Sequence, residues 1–308
     1  MERDGNNTKV AMTEGDAENQ GADAAALTSI HSFGYAAMAT EFEVVIAQPG
    51  ITEAAARSAA DAVFAEIARL EEELSRFRPM SEIWRISSLR SGQSIVVDLA
   101  TWDCLSLAKA VFKETAGAFD ITVGPLMQLW RNPDGSARKP FDEEIEQARQ
   151  RIGSHLFDLN EESMSVTVHA DKLVLDLGGI GKGYALDQAV RLFDEHGIQH
   201  ALISAGESTI LALGHAPGCD GWPVTLHTIE PRDMMLSEQA LSCSGFAVKG
   251  SHIMNPRTAQ PLPVSAARSY VLAPTAALSD ALSTAFMVMA DDEVKALCER
   301  FPEVTVLV

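Results

Sequence analysis

The sequence predicts an α+β protein, and three observations favour that class. Apolar residues make up 46% and charged residues 22% of the 308 residues, which is the composition of an ordinary globular protein. Runs with the periodicity of strands and runs with the periodicity of helices both occur. They follow one another without the regular strand-helix alternation that a doubly wound sheet requires. The length allows either one large domain or two lobes.

For the N-terminal third of the chain the sequence predicts a disordered segment, one strand and two helices. Residues 1–30 are rich in Asn, Asp, Glu, Gly and Ala and lack apolar periodicity, which predicts a disordered acidic segment. Apolar residues alternate over 41–47, the pattern of a half-buried strand. Thr52 is placed to cap a long helix whose apolar stripe runs to Phe77 and which ends before Pro79. A second helix is predicted over about 100–115.

The rest of the chain mixes both element types. Two β-like runs within 166–177 flank Asp171 and predict a hairpin, which is followed by Gly178 and Gly179. The further predicted elements are a helix over 183–196, strands over 201–205, 210–213, 223–227 and 269–273, a helix over 277–289, a last helix, and a strand over 304–308.

Charge and composition exclude several classes of partner. A net charge of −19 would repel both a nucleic acid backbone and an anionic lipid surface. No apolar run is long enough to span a membrane, and the first 30 residues lack a signal-peptide core. A cytoplasmic location is therefore predicted, with the periplasm as the alternative if the natural start differs. The 4 cysteines have no spacing suited to zinc and are predicted to be buried free thiols.

A glycine-rich segment, LVLDLGGIGKGYALD over 173–187, is the first candidate site. It joins a β-like run to a predicted helix and brings backbone N–H groups, a helix N-terminus and Lys182 to one point, which suits a phosphate. The spacing is neither that of a dinucleotide-binding fingerprint nor that of a P-loop. The alternative is a tight strand-to-helix turn without a ligand.

A second candidate lies in LSDALSTAF over 278–286, where Asp280 and Thr284 are separated by one helical turn. Both side chains would share one face and could ligate a hard cation. The surrounding positions are apolar, so the helix is predicted to be buried. An unpaired carboxylate there would be costly, and a metal would remove that cost. The alternative is a helix cap beside a surface hydroxyl.

Two further segments carry polar residues between apolar ones. GSHIMNPRTAQPL over 250–262 contains His252, which is structural more often than catalytic when it stands alone. GAFDITVGPLMQLW over 117–130 presents Asp120 and Thr122 in a short run, for which the alternative is an ordinary turn with local hydrogen bonds.

In order along the chain, these segments resemble the ApbE family of FAD:protein FMN transferases. The similarity covers residues 35–308. The resembling pieces are MAT (38–40), SRFRPMSEI (75–83), GAFDITVGPL (117–126), LDLGGIGKGYALD (175–187), SGF (244–246), HIMNPRTAQPL (252–262) and SDALSTAF (279–286). The resemblance implies a single domain of mixed, largely antiparallel sheets with helices over residues 31–308.

The resemblance also implies a site. It places around FAD the residues Met38, Phe77, Ala118, Phe119, Asp120, Gly178, Lys182, Tyr184, His252 and Met254. It implies a magnesium ion held by the backbone carbonyl of Gly181 and the side chains of Asp280 and Thr284. Of these residues, Lys182, His252 and Asp280 are expected to act in catalysis. Magnesium would supply the cation that an acidic chain needs beside a pyrophosphate.

Several positions depart from the family pattern. Ala39, Glu207 and Ala259 stand where relatives often have Gly, and Asn255 stands where they have Asp. The two alanines are acceptable if their backbone angles are ordinary, whereas Glu207 would repel substrate if its turn faces the phosphates. Position 283 is Ser, although some relatives have an acidic metal ligand there.

The expected activity is magnesium-dependent transfer of FMN from FAD to a Thr or Ser of a target flavoprotein, with release of AMP. Two alternatives keep the same site. If water attacks, the protein is an FAD pyrophosphatase. If the altered turn at Glu207 has ended catalysis, it is a non-catalytic FAD-binding protein.

Overall fold

The computed structural model describes residues 29–132, 134, 136–228, 231–245, 253–263 and 268–307. The predicted disordered segment over 1–30 therefore lies outside the described residues, except for Ser29 and Ile30. In chain order the elements are β1 (His31–Ala37), β2 (Thr40–Ile46), α1 (Glu53–Leu74), α2 (Glu82–Ser87), β3 (Ser94–Val96), α3 (Leu99–Glu114), α4 (Gly124–Leu129), α5 (Asp142–Arg149), β4 (Phe157–Asn160), β5 (Ser165–Val168), α6 (Gly181–Glu195), β6 (Ala201–Ala205), β7 (Thr209–Leu213), β8 (Trp222–Leu226), β9 (Arg232–Leu236), β10 (Gln239–Ser244), β11 (Met254–Asn255), β12 (Gln260–Pro261), β13 (Ser269–Ala273), α7 (Ala276–Phe286), α8 (Asp291–Arg300) and β14 (Thr305–Leu307).

The central feature is a seven-stranded sheet in the order β1-β2-β6-β7-β10-β13-β14. Each neighbouring pair in it is antiparallel, and so are the pairs in the smaller sheets β3-β5-β4, β8-β9 and β11-β12. The predicted α+β class with largely antiparallel sheets is thus confirmed.

Both faces of the large sheet are covered. In β2, Phe42, Val44 and Ile46 join the main core with α1, α6 and α7. Val45 points to the opposite face, where it clusters with Trp222 and other residues of the β8-β9 hairpin. Because successive side chains of a strand alternate between faces, strands packed on both sides lose the simple polar alternation of a surface strand.

Several predicted elements are confirmed with small shifts of their ends. Thr52 caps α1 by accepting a hydrogen bond from Ala55 N at 3.2 Å. The predicted helices over 100–115, 183–196 and 277–289 correspond to α3, α6 and α7. The predicted apolar stripe is too long, however. α1 ends at Leu74, and Phe77 lies in the following loop with 77% of its surface exposed.

The predicted hairpin over 166–177 is wrong. β5 pairs with β3 and β4, and residues 173–177 form no strand. Leu173, Leu175 and Leu177 are buried in the main core, while Asp176 N donates to Ile121 O at 2.7 Å. Alternating apolar residues reveal one buried face, but they do not identify the chain that supplies the hydrogen bonds.

The described cysteines form no disulfide. Cys104 is buried as predicted, whereas Cys219, Cys243 and Cys298 are only partly buried. Among the described residues, no helix is both long enough and apolar enough to cross a membrane.

One end of the large sheet collects the segments that carry the candidate residues. The β1-β2 turn, the β6-β7 turn and the end of β10 meet there because Phe42 pairs with Ala205 and Thr209 pairs with Ser242. α7 returns along the sheet toward this end, since Thr284 in its last turn contacts Ser244 at the end of β10.

Candidate functional site

The glycine turn, residues 178–181, leads into the first turn of α6, and three glycines at or beside it, Gly178, Gly179 and Gly183, have little room for a side chain. A Cβ at Gly179 would lie 3.2 Å from both Phe119 Cε2 and Thr284 Oγ1. A Cβ at Gly183 would lie 2.2 Å from the carbonyl oxygen of Ala276. The glycines therefore let α6 approach α7 closely, and they bring the start of α6 against Thr284.

Lys182 and Asp280 form an ion pair between these two helices. Lys182 Nζ lies 3.3 Å from Asp280 Oδ2, and their side chains are 16% and 4% exposed. Lys182 Nζ also donates to Gly178 O at 3.1 Å, and Gly183 N donates to Asp280 Oδ2 at 3.3 Å. Asp280 is thus buried, as predicted, but it is not unpaired, because a lysine from α6 is its partner. The cost of an unpaired charge therefore does not by itself require a metal.

Three hydroxyl groups, those of Ser244, Ser283 and Thr284, form a cluster at the backbone carbonyl of Asp280. Thr284 Oγ1 is 3.4 Å from Asp280 O and 3.1 Å from Ser244 Oγ. Ser244 Oγ is also 2.8 Å from Ser283 Oγ. Ser244 was not singled out as a site residue from the sequence, although the SGF segment that begins with it carries part of the family resemblance. Ser244 reaches the site only because the end of β10 packs against α7.

These groups suit a hard divalent cation. The two hydrogen bonds that the Asp280 carboxylate accepts within the described part of the chain both go to Oδ2, which leaves Oδ1 as a candidate ligand. Thr284 adds a neutral oxygen, and Gly181 is the first residue of α6. No group of three or more His, Cys, Asp or Glu side chains suited to a metal occurs among the described residues. One carboxylate with neutral oxygens is a donor set that Mg²⁺ accepts when phosphates and waters complete its shell.

The turn around Asp120 contacts the glycine turn through its neighbour. Ala118 and Phe119 are buried, and the Phe119 ring lies against Gly179. Asp120 Oδ1 accepts hydrogen bonds from Thr122 N at 2.8 Å and Thr122 Oγ1 at 2.6 Å. Burial raises the pKa of Asp120, and the bonds from Thr122 oppose that rise. One carboxylate oxygen of Asp120 therefore serves the local turn.

Met38 and Phe77 lie at the edge of this region. Met38 is in the β1-β2 turn with φ 49°, and its N–H donates to Glu71 Oε1 at 2.8 Å. The Phe77 ring is exposed and is covered on one side by the Arg76 guanidinium, whose carbon is 4.3 Å from the ring centre. The Phe77 ring is therefore accessible to a ligand, whereas the Met38 side chain is half-buried against the main core.

Tyr184 and Met254 are buried. Tyr184 OH donates to Asp103 Oδ2 of α3 at 3.1 Å, and burial raises the tyrosine pKa. Met254 packs with Leu126 and Ala148 in a small separate cluster. His252 lies outside the described residues.

The family departures have distinct structural settings. Ala39 and Ala259 both have φ 57°, so their backbone angles are not ordinary, and both pay the cost of a left-handed residue with a Cβ. Asn255 Oδ1 accepts from Arg257 N at 2.9 Å and Thr258 N at 3.2 Å. An Asn oxygen performs this turn-forming role as well as an Asp oxygen.

Glu207 is exposed in the β6-β7 turn, directly after Gly206 with φ 57°. The turn borders the end of β10, since Cys243 N donates to Ser208 O at 2.7 Å. The pKa of Arg268 is raised mainly by a hydrogen bond with Tyr270 and further by the charge of Glu207. The charges of Glu207 and Arg268 therefore attract each other, although this is the smallest of the effects on the arginine.

Asp187 also shapes the site, although it was not identified from the sequence as a residue that does so. Its two carboxylate oxygens accept hydrogen bonds from Ala276 N at 2.7 Å and Ala277 N at 2.9 Å, at the start of α7. Burial raises the pKa of Asp187 to about 6, against the effect of both hydrogen bonds. A side chain of α6 thus caps α7 and helps to set the position of Asp280.

Comparisons with known proteins identify the family and the fold of this chain. Residues 38–308 match the model of the ApbE family. The FAD:protein FMN transferase of Klebsiella pneumoniae (strain 342) is 28% identical over 80% of this chain and 75% of its own length. That of Escherichia coli (strain K12) is 26% identical over 82% and 77%. The flavin transferase ApbE structure from Vibrio cholerae superposes with a TM-score of 0.81 at 23% identity, covering 91% of this chain and 93% of that one, and shares the fold.

Proposed function

The chain belongs to the ApbE family, and from that premise we propose that it is a magnesium-dependent FAD:protein FMN transferase. FAD is its substrate, and its partner is a flavoprotein that carries an acceptor Thr or Ser. The names of the curated relatives support the reaction class. The single observation that carries the proposal in this chain is the Lys182–Asp280 pair, which lies where the glycine turn, the start of α6 and the Thr284 hydroxyl meet.

In the proposed reaction the oxygen of the acceptor hydroxyl forms a bond to the FMN phosphorus. The phosphoanhydride bond to AMP breaks, AMP leaves with that electron pair, and the hydroxyl proton passes to solvent or to a base. The net result is an FMN phosphoester on the acceptor protein and free AMP.

The residues of this chain have separate tasks in that reaction. The N–H groups of Gly178, Ile180, Gly181 and Gly183 are already bonded within the protein. Gly179 N and Lys182 N are therefore the backbone donors of this segment that would bind phosphate oxygens. Lys182 adds a positive charge on one side of the pyrophosphate. Asp280 and Thr284, with the Gly181 carbonyl, would hold Mg²⁺. When bound, this ion neutralises the pyrophosphate and stabilises charge on the leaving group.

A transfer assay tests the proposal against its two alternatives. The protein is incubated with FAD, Mg²⁺ and a peptide carrying a flavinylation-type Thr, and a peptide with Ala at that position is the matched control. Flavin fluorescence on the Thr peptide alone, with AMP released in equal amount, supports the transferase. Free FMN and AMP with both peptides would indicate a pyrophosphatase. FAD that stays unchanged with every acceptor and Mg²⁺ concentration would favour a non-catalytic FAD-binding protein.

A further inference from the structure

Arg76 lies in the loop between α1 and α2 and contacts two segments named above for FAD. Its Nε is 3.0 Å from Asp176 Oδ2, directly before the glycine turn, and the two side chains are only 20% and 13% exposed. Its guanidinium carbon is 4.3 Å from the centre of the exposed Phe77 ring. One partly buried arginine therefore joins the Phe77 loop to the chain that enters the glycine turn.

Asp176 transmits this contact to the turn itself. Its Oδ1 accepts a hydrogen bond from Gly178 N at 2.7 Å, while its own N–H donates to Ile121 O at 2.7 Å. Gly178 O in turn accepts from Lys182 Nζ at 3.1 Å. The contacts form a continuous chain in which each group limits the orientation of the next, ending at the Lys182–Asp280 pair.

We infer that Arg76 is a positioning residue that, through Asp176, holds the glycine turn in the conformation that binds the pyrophosphate of FAD. The inference rests on the proposed function for the identity of the ligand. The physical reason is that a carboxylate held by a guanidinium on one oxygen presents the other oxygen to Gly178 N in a single orientation. Without the arginine the carboxylate can rotate, and its uncompensated charge lies beside the phosphate-binding turn.

A second consequence concerns selectivity between ligands. The turn and Lys182 bind phosphate groups, whereas Phe77 is the candidate contact for the flavin. If removal of Arg76 acts on the glycine turn by way of Asp176, it should therefore weaken the binding of ADP as well as that of FAD. An effect exerted only through the Phe77 ring would spare ADP.

The variants for the test are Arg76→Ala, Arg76→Lys, Asp176→Ala and the Arg76→Ala/Asp176→Ala double variant. Arg191→Ala is the matched control. Arg191 pairs with Glu195 at the C-terminal end of α6, far from the glycine turn at its start, and those two side chains are 59% and 55% exposed. Hydrogen exchange of peptides covering 176–183 is measured first without ligand. Dissociation constants for FAD and ADP are then measured by calorimetry with Mg²⁺, and Tm is measured for every variant.

We expect faster exchange over 176–183 in Arg76→Ala and Asp176→Ala, with no change in Arg191→Ala. The Kd values for FAD and ADP should each rise about tenfold in Arg76→Ala, the size expected for one charge-assisted contact. Arg76→Lys should fall between Arg76→Ala and the natural protein, because it keeps the charge without the planar fork. The double variant should match Asp176→Ala, since both changes act through one carboxylate.

Unchanged exchange over 176–183 in Arg76→Ala would overturn the inference, as would additive losses in the double variant. A loss of FAD binding with ADP binding retained would also overturn it, by assigning the effect to Phe77. If the natural protein binds neither ligand, the proposed function fails. The exchange data then decide the role of Arg76 by themselves.

Discussion

Asp280→Asn separates the roles of charge and shape at the centre of the site. The Asp280 side chain is 4% exposed, and Oδ2 lies 3.3 Å from Lys182 Nζ. Two unit charges at that distance attract by roughly 5 kcal/mol at an effective dielectric constant of about 20, before desolvation is subtracted. Breaking a buried pair by removing one partner typically costs about 3–5 kcal/mol. We expect about 3 kcal/mol of destabilisation, since Asn can still accept the bond from Gly183 N.

The catalytic loss should be larger than that of a Thr284 variant. Asp280 is the anionic oxygen of the candidate metal site, and losing a metal that stabilises a leaving phosphate costs several kcal/mol of barrier, or roughly a thousandfold in rate. Thr284→Ala removes a neutral oxygen that a water can replace. Excess Mg²⁺ should therefore rescue Thr284→Ala better than Asp280→Asn.

The assay is FMN transfer at rising Mg²⁺ for the natural protein and both variants, with EDTA controls. Asp61→Asn, at an exposed position of α1, is the matched charge control. Urea unfolding in EDTA measures the stability change without metal, and a Mg²⁺-dependent rise in Tm reports binding independently of turnover. Transfer that persists in EDTA, or an Asp280→Asn variant that works at the natural rate, would refute the metal site.

Three further predictions follow from backbone angle, surface charge and burial. Ala39→Gly should stabilise the fold by about 1 kcal/mol in urea unfolding, because Ala39 has φ 57°. Ala36→Gly in the neighbouring strand should destabilise it by about 0.5–1 kcal/mol. Glu207→Gly should tighten FAD binding roughly threefold at low salt, and the gain should shrink at about 1 M salt. The pKa of Asp187 in the folded protein is raised to about 6. The contribution of Asp187 to the free energy of unfolding is therefore fully present below its unfolded pKa and is lost as pH rises through about 6. In EDTA, the stability of the natural protein relative to Asp187→Asn should fall over that window.

Each of these has a contrary result. Destabilisation by Ala39→Gly would mean that the Cβ makes contacts worth more than the strain. An effect of Glu207→Gly that persists at high salt would point to a change in the turn rather than in charge. A flat difference between natural protein and Asp187→Asn over the same pH range would show that the two backbone hydrogen bonds offset the burial of the carboxylate.

Local patterns in the sequence predicted much of the fold. The spacing of three and four in α1 and the Thr52 cap are properties of a few consecutive residues, and the structure reproduces them. The alternation over 41–47 correctly predicted a strand, but not that Val45 on its second face is also buried. The same reasoning failed at Leu173, Leu175 and Leu177, where a buried extended segment was taken for half of a hairpin. It also extended the stripe of α1 to Phe77, because apolar spacing continues past the point where the backbone leaves the helix.

The sequence by itself determined the chemistry that is available: a glycine turn with Lys182, and Asp280 with Thr284 at helical spacing in an apolar segment. Only the tertiary structure decided which groups meet. Lys182 and Asp280 pair across 98 positions of the chain, Ser244 joins Thr284 from another strand, and Arg76 reaches the glycine turn through Asp176. Glycine in relatives raised the question of the backbone angles at Ala39 and Ala259, but alanine itself does not favour left-handed angles, and only the structure gave φ 57° at both. The physical reason is range. Periodicity and capping depend on neighbours within a turn or two, whereas a contact between distant residues depends on the path of the whole chain between them.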